Sequence, residues 1–130
     1  MQIRSVSGIR AHVQANATAL NALCWNEATL NVALEAALTD CSAALDKVPK
    51  FAAALDSKGF VLLRLGRFKD SVAAYDAAIE LRPKQAESLW GRGLAKIRLG
   101  QTTDGEADLT AARTVSADVE TEFAGYGVVR

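Results

Sequence analysis

The sequence predicts an all-α protein built from stacked helix pairs, and its composition is the first reason. The chain has 130 residues, of which 25 are alanine, 15 are leucine and 2 are proline. Alanine and leucine lose little freedom in a helix, whereas proline breaks one. A formal net charge of +0 removes the simplest argument for nucleic-acid binding, which is a strongly basic domain.

An internal repeat is the second reason. Residues 52–85 align with residues 86–119 without a gap and share 10 identical positions. Pro49-Lys50 also recurs 34 residues later as Pro83-Lys84. A period of this length indicates a supersecondary unit that buries its apolar face only by stacking on its neighbours.

Each unit is predicted to contain two amphipathic helices joined by a short turn. The predicted helices span about residues 12–30, 34–47, 51–65, 68–81, 85–99, 103–115 and 117–124. Residues 1–11 are expected to be a frayed leader, and 12–130 a single domain with repeats at about 17–51, 52–85 and 86–119.

Glycine and proline mark the helix ends. Gly66 and Gly100 fall just after the first helices of the second and third units, where a left-handed residue ends a helix. Pro49 and Pro83 follow second helices, which proline cannot continue. Thr103-x-x-Glu106 has the pattern of a capping box for the sixth helix.

Small residues inside the helices indicate close helix contacts. Gly59 and Gly93 each cost a helix about 1 kcal/mol relative to alanine. That cost is tolerated where a neighbouring helix must approach closely. Ala44, Ala78 and Ala112 recur at one position of each repeat and fit the same demand.

The last segment is predicted to cap the array. Val119 and Phe123 are spaced i, i+4 on one face of a short helix that stops at Gly125. A terminal helix of this kind covers the apolar surface of the last repeat. The residues after it leave an apolar end that folds back or contacts a partner domain.

The repeat resembles the tetratricopeptide repeat (TPR) family over about 100 of the 130 residues. The third unit has Ala117 where the family places proline. The resemblance implies three stacked helix-turn-helix repeats in a short right-handed superhelix, followed by a capping helix. The matching residues are Leu55, Gly59, Leu62, Gly66, Phe68, Tyr75, Ala78 and Pro83 in the second unit, and Leu89, Gly93, Gly100, Leu109 and Ala112 in the third.

The first unit departs from this pattern. A strict 34-residue register places Trp25 where the family has a small residue. Shifting the first helix by one residue puts Cys24 there instead, and requires one additional residue in the turn near Asn31-Val32. We favour the shifted register, which turns Trp25 toward the inner side of the array.

Function is expected on the concave face, which the first helix of each pair lines. In the shifted register Trp25, Phe60 and Leu94 share one inner position, beside Arg64 and Arg98. An apolar row flanked by arginines suits a peptide with apolar anchors and acidic groups. The alternative is a groove filled by the protein's own residues. The predicted peptide-binding residues are Trp25, Phe60, Leu63, Arg64, Trp90, Leu94, Ile97 and Arg98.

The resemblance also allows one specialised ligand to be tested. Some TPR domains hold the C-terminal carboxylate of chaperones with lysine, asparagine and arginine at set inner positions. At most one of the corresponding residues here matches, so no carboxylate clamp is predicted. Those residues are Asn21 or Ala22, Trp25 or Asn26, Ser57, Glu87 and Gly91.

No catalytic, cofactor-binding or metal-binding residues are predicted. His12 is the one histidine, and it has no partner at a spacing typical of a catalytic or metal site. Cys24 and Cys41 lie on the two helices of one repeat, and we expect a buried thiol pair in preference to a disulfide or a nucleophile. These residues are too few to suggest a zinc site.

The predicted function is therefore a non-catalytic protein–protein interaction module, an adaptor or scaffold. The alternative is an accessory TPR region of a larger enzyme, packed on a sister domain. SLWGRGLAKIRLG followed by GEADLTAA is similar to the C-terminal TPR modules of bacterial protease-type proteins. In that case the chemistry lies outside these residues.

The expected partners follow from the same observations. We predict a protein or peptide ligand, no nucleic acid, no membrane, and a monomer or weak homo-oligomer. No apolar run approaches the roughly 18 to 20 residues of a membrane span. Two cysteines do not make a disulfide framework, so a reducing, cytoplasmic location is expected.

Overall fold

The computed structural model describes residues 16–130, which form seven helices and no strand. The predicted boundaries agree within two residues, except that the predicted start at residue 12 and the leader lie outside the described residues. The helices are α1 (Ala17–Thr29), α2 (Leu34–Lys47), α3 (Ala52–Arg64), α4 (Phe68–Leu81), α5 (Ala86–Arg98), α6 (Thr102–Val115) and α7 (Val119–Gly125).

The start of α1 is fixed by a side-chain cap. Asn16 has an extended backbone, and its Oδ1 accepts from the backbone N–H groups of Thr18 at 2.8 Å and Ala19 at 3.2 Å. These are donors that a helix leaves without intrahelical partners. The described helix therefore begins at Ala17.

The helices stack as three pairs with a short terminal helix. Each of α1, α3 and α5 packs on the helix that follows it, and α2 and α4 also pack on the first helix of the next pair. The first helices lie side by side, α1 on α3 and α3 on α5, and α7 packs on α5 and α6. The predicted stack of helix pairs and the short terminal helix are confirmed.

Close contacts inside the pairs explain the helical glycines. A Cβ on Gly59 would lie 2.8 Å from the Tyr75 ring, and one on Gly93 would lie 2.7 Å from Leu109 and 2.8 Å from the Gly105 carbonyl oxygen. Real Cβ atoms do not come so close to other atoms. The prediction of close helix crossings at these glycines is confirmed.

The turns within the second and third pairs use left-handed glycines, as predicted. Gly66 has φ +77° and Gly100 has φ +85°. After Gly66 the Arg67 N–H donates to the Leu62 carbonyl at 2.9 Å, which satisfies an acceptor at the end of α3. The predicted capping box is wrong, because α6 begins one residue earlier, at Thr102, with no side-chain cap.

The turn of the first pair contains the additional residue that the shifted register requires. Residues 30–33 separate α1 from α2, whereas residues 65–67 and 99–101 separate the helices of the later pairs. Asn31, at φ +56°, takes the place of the turn glycine, and Ala33 is also left-handed at φ +48°. The shifted register is confirmed.

A disulfide joins Cys24 in α1 to Cys41 in α2, with their Cα atoms 5.5 Å apart. The expectation of free thiols is wrong. The shifted register aligns this pair with Gly59 and Tyr75 in the second unit, where a glycine admits a large ring. The first unit fills the same contact with two medium-sized side chains, which places both sulfurs within bonding range.

Most of the buried side chains belong to one continuous core. It extends from Cys24 in α1 to Phe123 in α7 and passes through every helix pair. Ala44, Ala78 and Ala112 are buried as predicted. Along the described part of the chain, no helix has the length and apolar character to cross a membrane.

Candidate functional site

The C-terminal segment, residues 126–130, lies across the face formed by the first helices. Gly127 has φ +83°, and the Val128 N–H donates to the Phe123 carbonyl at 2.9 Å. This turn ends α7 and sends the chain back over α3 and α5. Val128 is part-buried against the core.

Four aromatic side chains meet on this face and form what we call the aromatic cluster. The ring centroid of Trp25 lies 5.3 Å from that of Phe60 and 5.7 Å from that of Tyr126. Phe60 also contacts Phe123 at 5.6 Å and Tyr126 at 5.7 Å. These separations suit tilted and edge-to-face contacts, which add to the stabilisation from burial. The C-terminal segment thus contacts the first and second pairs as well as the third.

Two arginines hold the backbone of the C-terminal segment. The Arg64 guanidinium donates to the Tyr126 carbonyl, and its carbon lies 5.1 Å from the Phe60 ring centroid. Arg98 Nη2 donates to the Val129 carbonyl at 3.3 Å. Burial lowers the pKa of Arg64, and its Nε is buried without a hydrogen-bond partner.

The structure brings six of the eight predicted binding residues to the concave face. Trp25 belongs to the aromatic cluster and is part-buried, as the shifted register predicted. Phe60, Leu63 and Leu94 are buried, and Arg64 and Arg98 donate to the C-terminal segment. Of the two alternatives, the structure therefore has the groove that is filled by the protein's own residues. The six are Trp25, Phe60, Leu63, Arg64, Leu94 and Arg98.

Trp90 and Ile97 do not lie in an open groove. Trp90 is buried, and the Arg113 guanidinium of α6 lies over its ring at 5.0 Å. Ile97 packs toward Gly105 at the crossing of α5 and α6. The repeat alignment placed Trp90 on the inner side, but in the structure its ring is buried and covered by the Arg113 side chain of α6.

Two cavities remain beside the C-terminal segment. The first, which we call the basic cavity, has a volume of about 340 Å³ near the C-terminal ends of α3 and α5. It is lined by Leu63, Arg64, Leu94, Arg98 and Val128, among others. This cavity combines the apolar residues and the arginines of the predicted site.

The second cavity, which we call the acidic cavity, has a volume of about 370 Å³. It lies toward the N-terminal ends of α3 and α5, and three of its lining residues are the carboxylates Asp56, Glu87 and Glu122. Trp25 and Tyr126 are also among its lining residues. The two cavities therefore have charges of opposite sign.

Asp56 is the most deeply placed carboxyl group of the acidic cavity. Ser88 Oγ donates to its Oδ1 at 2.7 Å. Burial raises the pKa of Asp56 from 3.8 to about 6, and the negative charges of Glu87 and Glu122 act in the same direction. The pKa of Glu122 is also raised, first by burial and then by Glu87.

Sequence reasoning missed part of this site. A capping role for Phe123 and an apolar end that folds back were expected, but the contacts of Phe123 and Tyr126 with Phe60 and of Tyr126 with Trp25 were not. Gly125 and Gly127 on either side of Tyr126 are the signal of a turn that returns the chain. The acidic residues lie in three different helices, and a carboxylate on a helix surface gives no sequence signal of its own.

The comparison with known families decides the assignment of the repeat. The family model described as the TPR repeat matches residues 59–100, from the glycine that faces Tyr75 to the turn glycine after α5. Residues 59–100 are therefore TPR sequence, and the stacked helix pairs around them have the architecture of TPR repeats. No curated protein matches the chain.

The general role of TPR arrays is to bind other proteins. The finer likeness to modules of bacterial protease-type proteins stays a prediction. In residues 16–130, no three His, Cys, Asp or Glu side chains are grouped so as to hold a metal ion. Both cavities described above lie on the concave face of the array.

Proposed function

We propose that this protein is a non-catalytic interaction module whose concave face binds a peptide or partner domain. The C-terminal segment occupies the place that a partner chain would take. Its contacts with the basic cavity are the observation that carries the proposal. A face that holds one non-helical segment by its backbone carbonyls and apolar side chains is suited to hold another.

The contacts of the segment indicate what a partner needs. Val128 supplies an apolar side chain to the core, and the carbonyls of Tyr126 and Val129 accept from Arg64 and Arg98. Backbone acceptors are common to every peptide, so the arginines select little by sequence. Selectivity then comes from the apolar anchors and from carboxylates that can replace the carbonyls at the arginines.

The experiment offers the face its own segment in trans. A chain ending at Gly125 leaves the basic cavity open, and the probe is a fluorescein-labelled peptide with the sequence of residues 123–130, FAGYGVVR. We expect the shortened chain to bind the peptide. The full-length chain should bind it far more weakly, because a tethered segment competes at an effective concentration in the millimolar range.

Arginine variants give the control. Arg64→Ala and Arg98→Ala in the shortened chain should each weaken peptide binding. Arg67→Ala should not, because Arg67 pairs with Glu35 on another surface. A shortened chain that retains its helical circular dichroism but does not bind the peptide would contradict the proposal.

A further inference from the structure

We propose that the acidic cavity is a binding site for a cationic side chain, arginine or lysine, of a partner polypeptide. The inference rests on the proposed function, because the cation is supplied by a bound protein. The sequence predicted a ligand with acidic groups on the concave face, whereas the acidic cavity would bind a basic one. The three inner helices α1, α3 and α5 and the terminal helix α7 contribute lining residues, so the cavity belongs to the assembled array and not to one repeat.

The charge of the cavity is not balanced from within the structure. Asp56, Glu87 and Glu122 line it together, and no basic side chain of residues 16–130 forms an ion pair with any of them. Arg82 is the positive group that acts on Asp56 from a distance. Proteins pair buried carboxylates because desolvation penalises the charged form. Asp56 is the most deeply placed of the three, Glu87 is part-buried and Glu122 is exposed. Within residues 16–130 no ion pair supplies the counter-charge that a bound cation would bring.

A second observation, independent of the carboxylates, is an unpartnered acceptor. Asn21 Oδ1 is fully buried and has no hydrogen-bond partner, and Asn21 is one of the residues that line the cavity. An unpaired buried acceptor lowers the stability of the folded chain until a donor reaches it. A guanidinium carries five N–H donors and an ammonium three, so either group can satisfy the amide oxygen together with a carboxylate.

The aromatic walls suit the same ligand. Trp25 and Tyr126 both line the cavity, with their ring planes 87° apart. A cation over a tryptophan or tyrosine face is attracted by the ring quadrupole. The aliphatic stem of lysine or arginine can lie against the rings while its charge reaches the carboxylates.

The electrostatics of the phenol agree with this placement. The pKa of Tyr126 is raised by burial and then by Glu122, Glu87 and Asp56. The hydroxyl group therefore senses the field of all three carboxylates. A cation bound between the three carboxylates would relieve their mutual repulsion.

The acidic cavity exists with the C-terminal segment in place, since Tyr126 forms one of its walls. The test therefore uses the full-length chain. The probes are the peptides Ac-Ala-Arg-Ala-NH2 and Ac-Ala-Lys-Ala-NH2, together with the neutral isostere Ac-Ala-citrulline-Ala-NH2. Binding is followed in a 15N-labelled chain by the indole N–H resonances of Trp25 and Trp90, assigned with a Trp25→Phe variant.

We expect the arginine and lysine peptides to move the Trp25 resonance and to leave that of the buried Trp90 unchanged. The citrulline peptide should bind at least tenfold more weakly. Glu87→Gln combined with Glu122→Gln should weaken binding of the cationic peptides at least tenfold. The matched control is Asp70→Asn combined with Glu80→Gln, at exposed positions of α4, which should bind like the original chain.

A difference between the arginine and lysine peptides identifies the preferred cation, and either preference supports the proposal. Equal binding of the citrulline peptide, or unchanged binding by the Glu87→Gln/Glu122→Gln variant, overturns it. So does a cationic peptide that leaves the Trp25 resonance where it was. These outcomes are separate from those of the proposed function, which is tested with the shortened chain and the basic cavity.

Discussion

The ring of Tyr126, one residue beyond the last helix, lies 5.7 Å from the ring of Trp25 in the first helix. This contact joins the two ends of the described array across its concave face. Because of this contact, the part-buried Trp25 reports on the C-terminal segment, whereas the buried Trp90 does not.

Tyr126→Ala should loosen the C-terminal segment. It removes ring contacts with Trp25, Phe60 and Phe123, and because Tyr126 is part-buried we expect a loss of about 1–2 kcal/mol in the free energy of unfolding. Trp25 emission should shift to longer wavelength as water reaches the ring. Tyr126→Phe, which keeps the ring, is the control. Unchanged emission in Tyr126→Ala would show that the segment does not cover Trp25 in solution.

Gly93→Ala should destabilise the chain although alanine favours a helix. The new Cβ would lie 2.7 Å from Leu109 and 2.8 Å from the Gly105 carbonyl oxygen, so α5 and α6 must separate. Overpacking of this kind lowers the free energy of unfolding by about 1–3 kcal/mol. Urea denaturation measures this loss. Gly125→Ala is the control, because nothing lies within 4 Å of its added Cβ. Equal effects of the two substitutions would argue against a close crossing at Gly93.

The disulfide between Cys24 and Cys41 should stabilise the first pair. It spans a sequence separation of 17 residues, for which chain entropy predicts about 3 kcal/mol. Dithiothreitol should therefore lower the urea midpoint of the original chain but not that of Cys24→Ser/Cys41→Ser. Titration of two free thiols per native, unreduced chain would contradict the bond.

Asp56 should make stability depend on pH. Its pKa in the folded chain is raised from 3.8 to about 6, so the folded state binds the proton more tightly than the unfolded state. The free energy of unfolding should rise as pH falls from about 6 toward 3.8, and this contribution is lost as pH rises through 6.

Asp56→Asn keeps an acceptor for Ser88 and removes the buried charge. At pH 7.5 the variant should be more stable than the original chain by up to about 3 kcal/mol, the equivalent of the pKa shift. Urea midpoints measured from pH 4 to pH 7.5 should also vary less in the variant. Asp70→Asn, at an exposed site on α4, is the control. An identical pH dependence in Asp56→Asn and the original chain would count against a raised pKa.

Much of the fold could be predicted because its signals are local. Gly66, Gly100 and the prolines mark helix ends, and the 34-residue period aligns residues that meet equivalent neighbours. The additional residue near Asn31 was also predictable, because only the shifted register gives α1 a small residue at its crossing with α2. Each of these inferences depends on residues close in sequence or related by the repeat.

The candidate site was less predictable because it depends on contacts outside the repeat. Tyr126 directly follows α7 and contacts Trp25 in α1, and no repeat rule describes where that last short helix lies. Asp56, Glu87 and Glu122 lie on three helices, and their shared cavity depends on how those helices are spaced. The disulfide escaped prediction for a related reason, since two thiols across a helix crossing look the same in sequence whether bonded or free.

The return of the C-terminal segment also affects how the chain unfolds. In an open repeat array each unit contacts only its neighbours, so stability is a sum of local terms and an end can fray on its own. Here α7 and the C-terminal segment contact residues from all three pairs, so the C-terminal end of the array is packed directly against its first pair. Neither end can then be released without breaking contacts at the other, so the array is constrained to fold and unfold as a single cooperative unit.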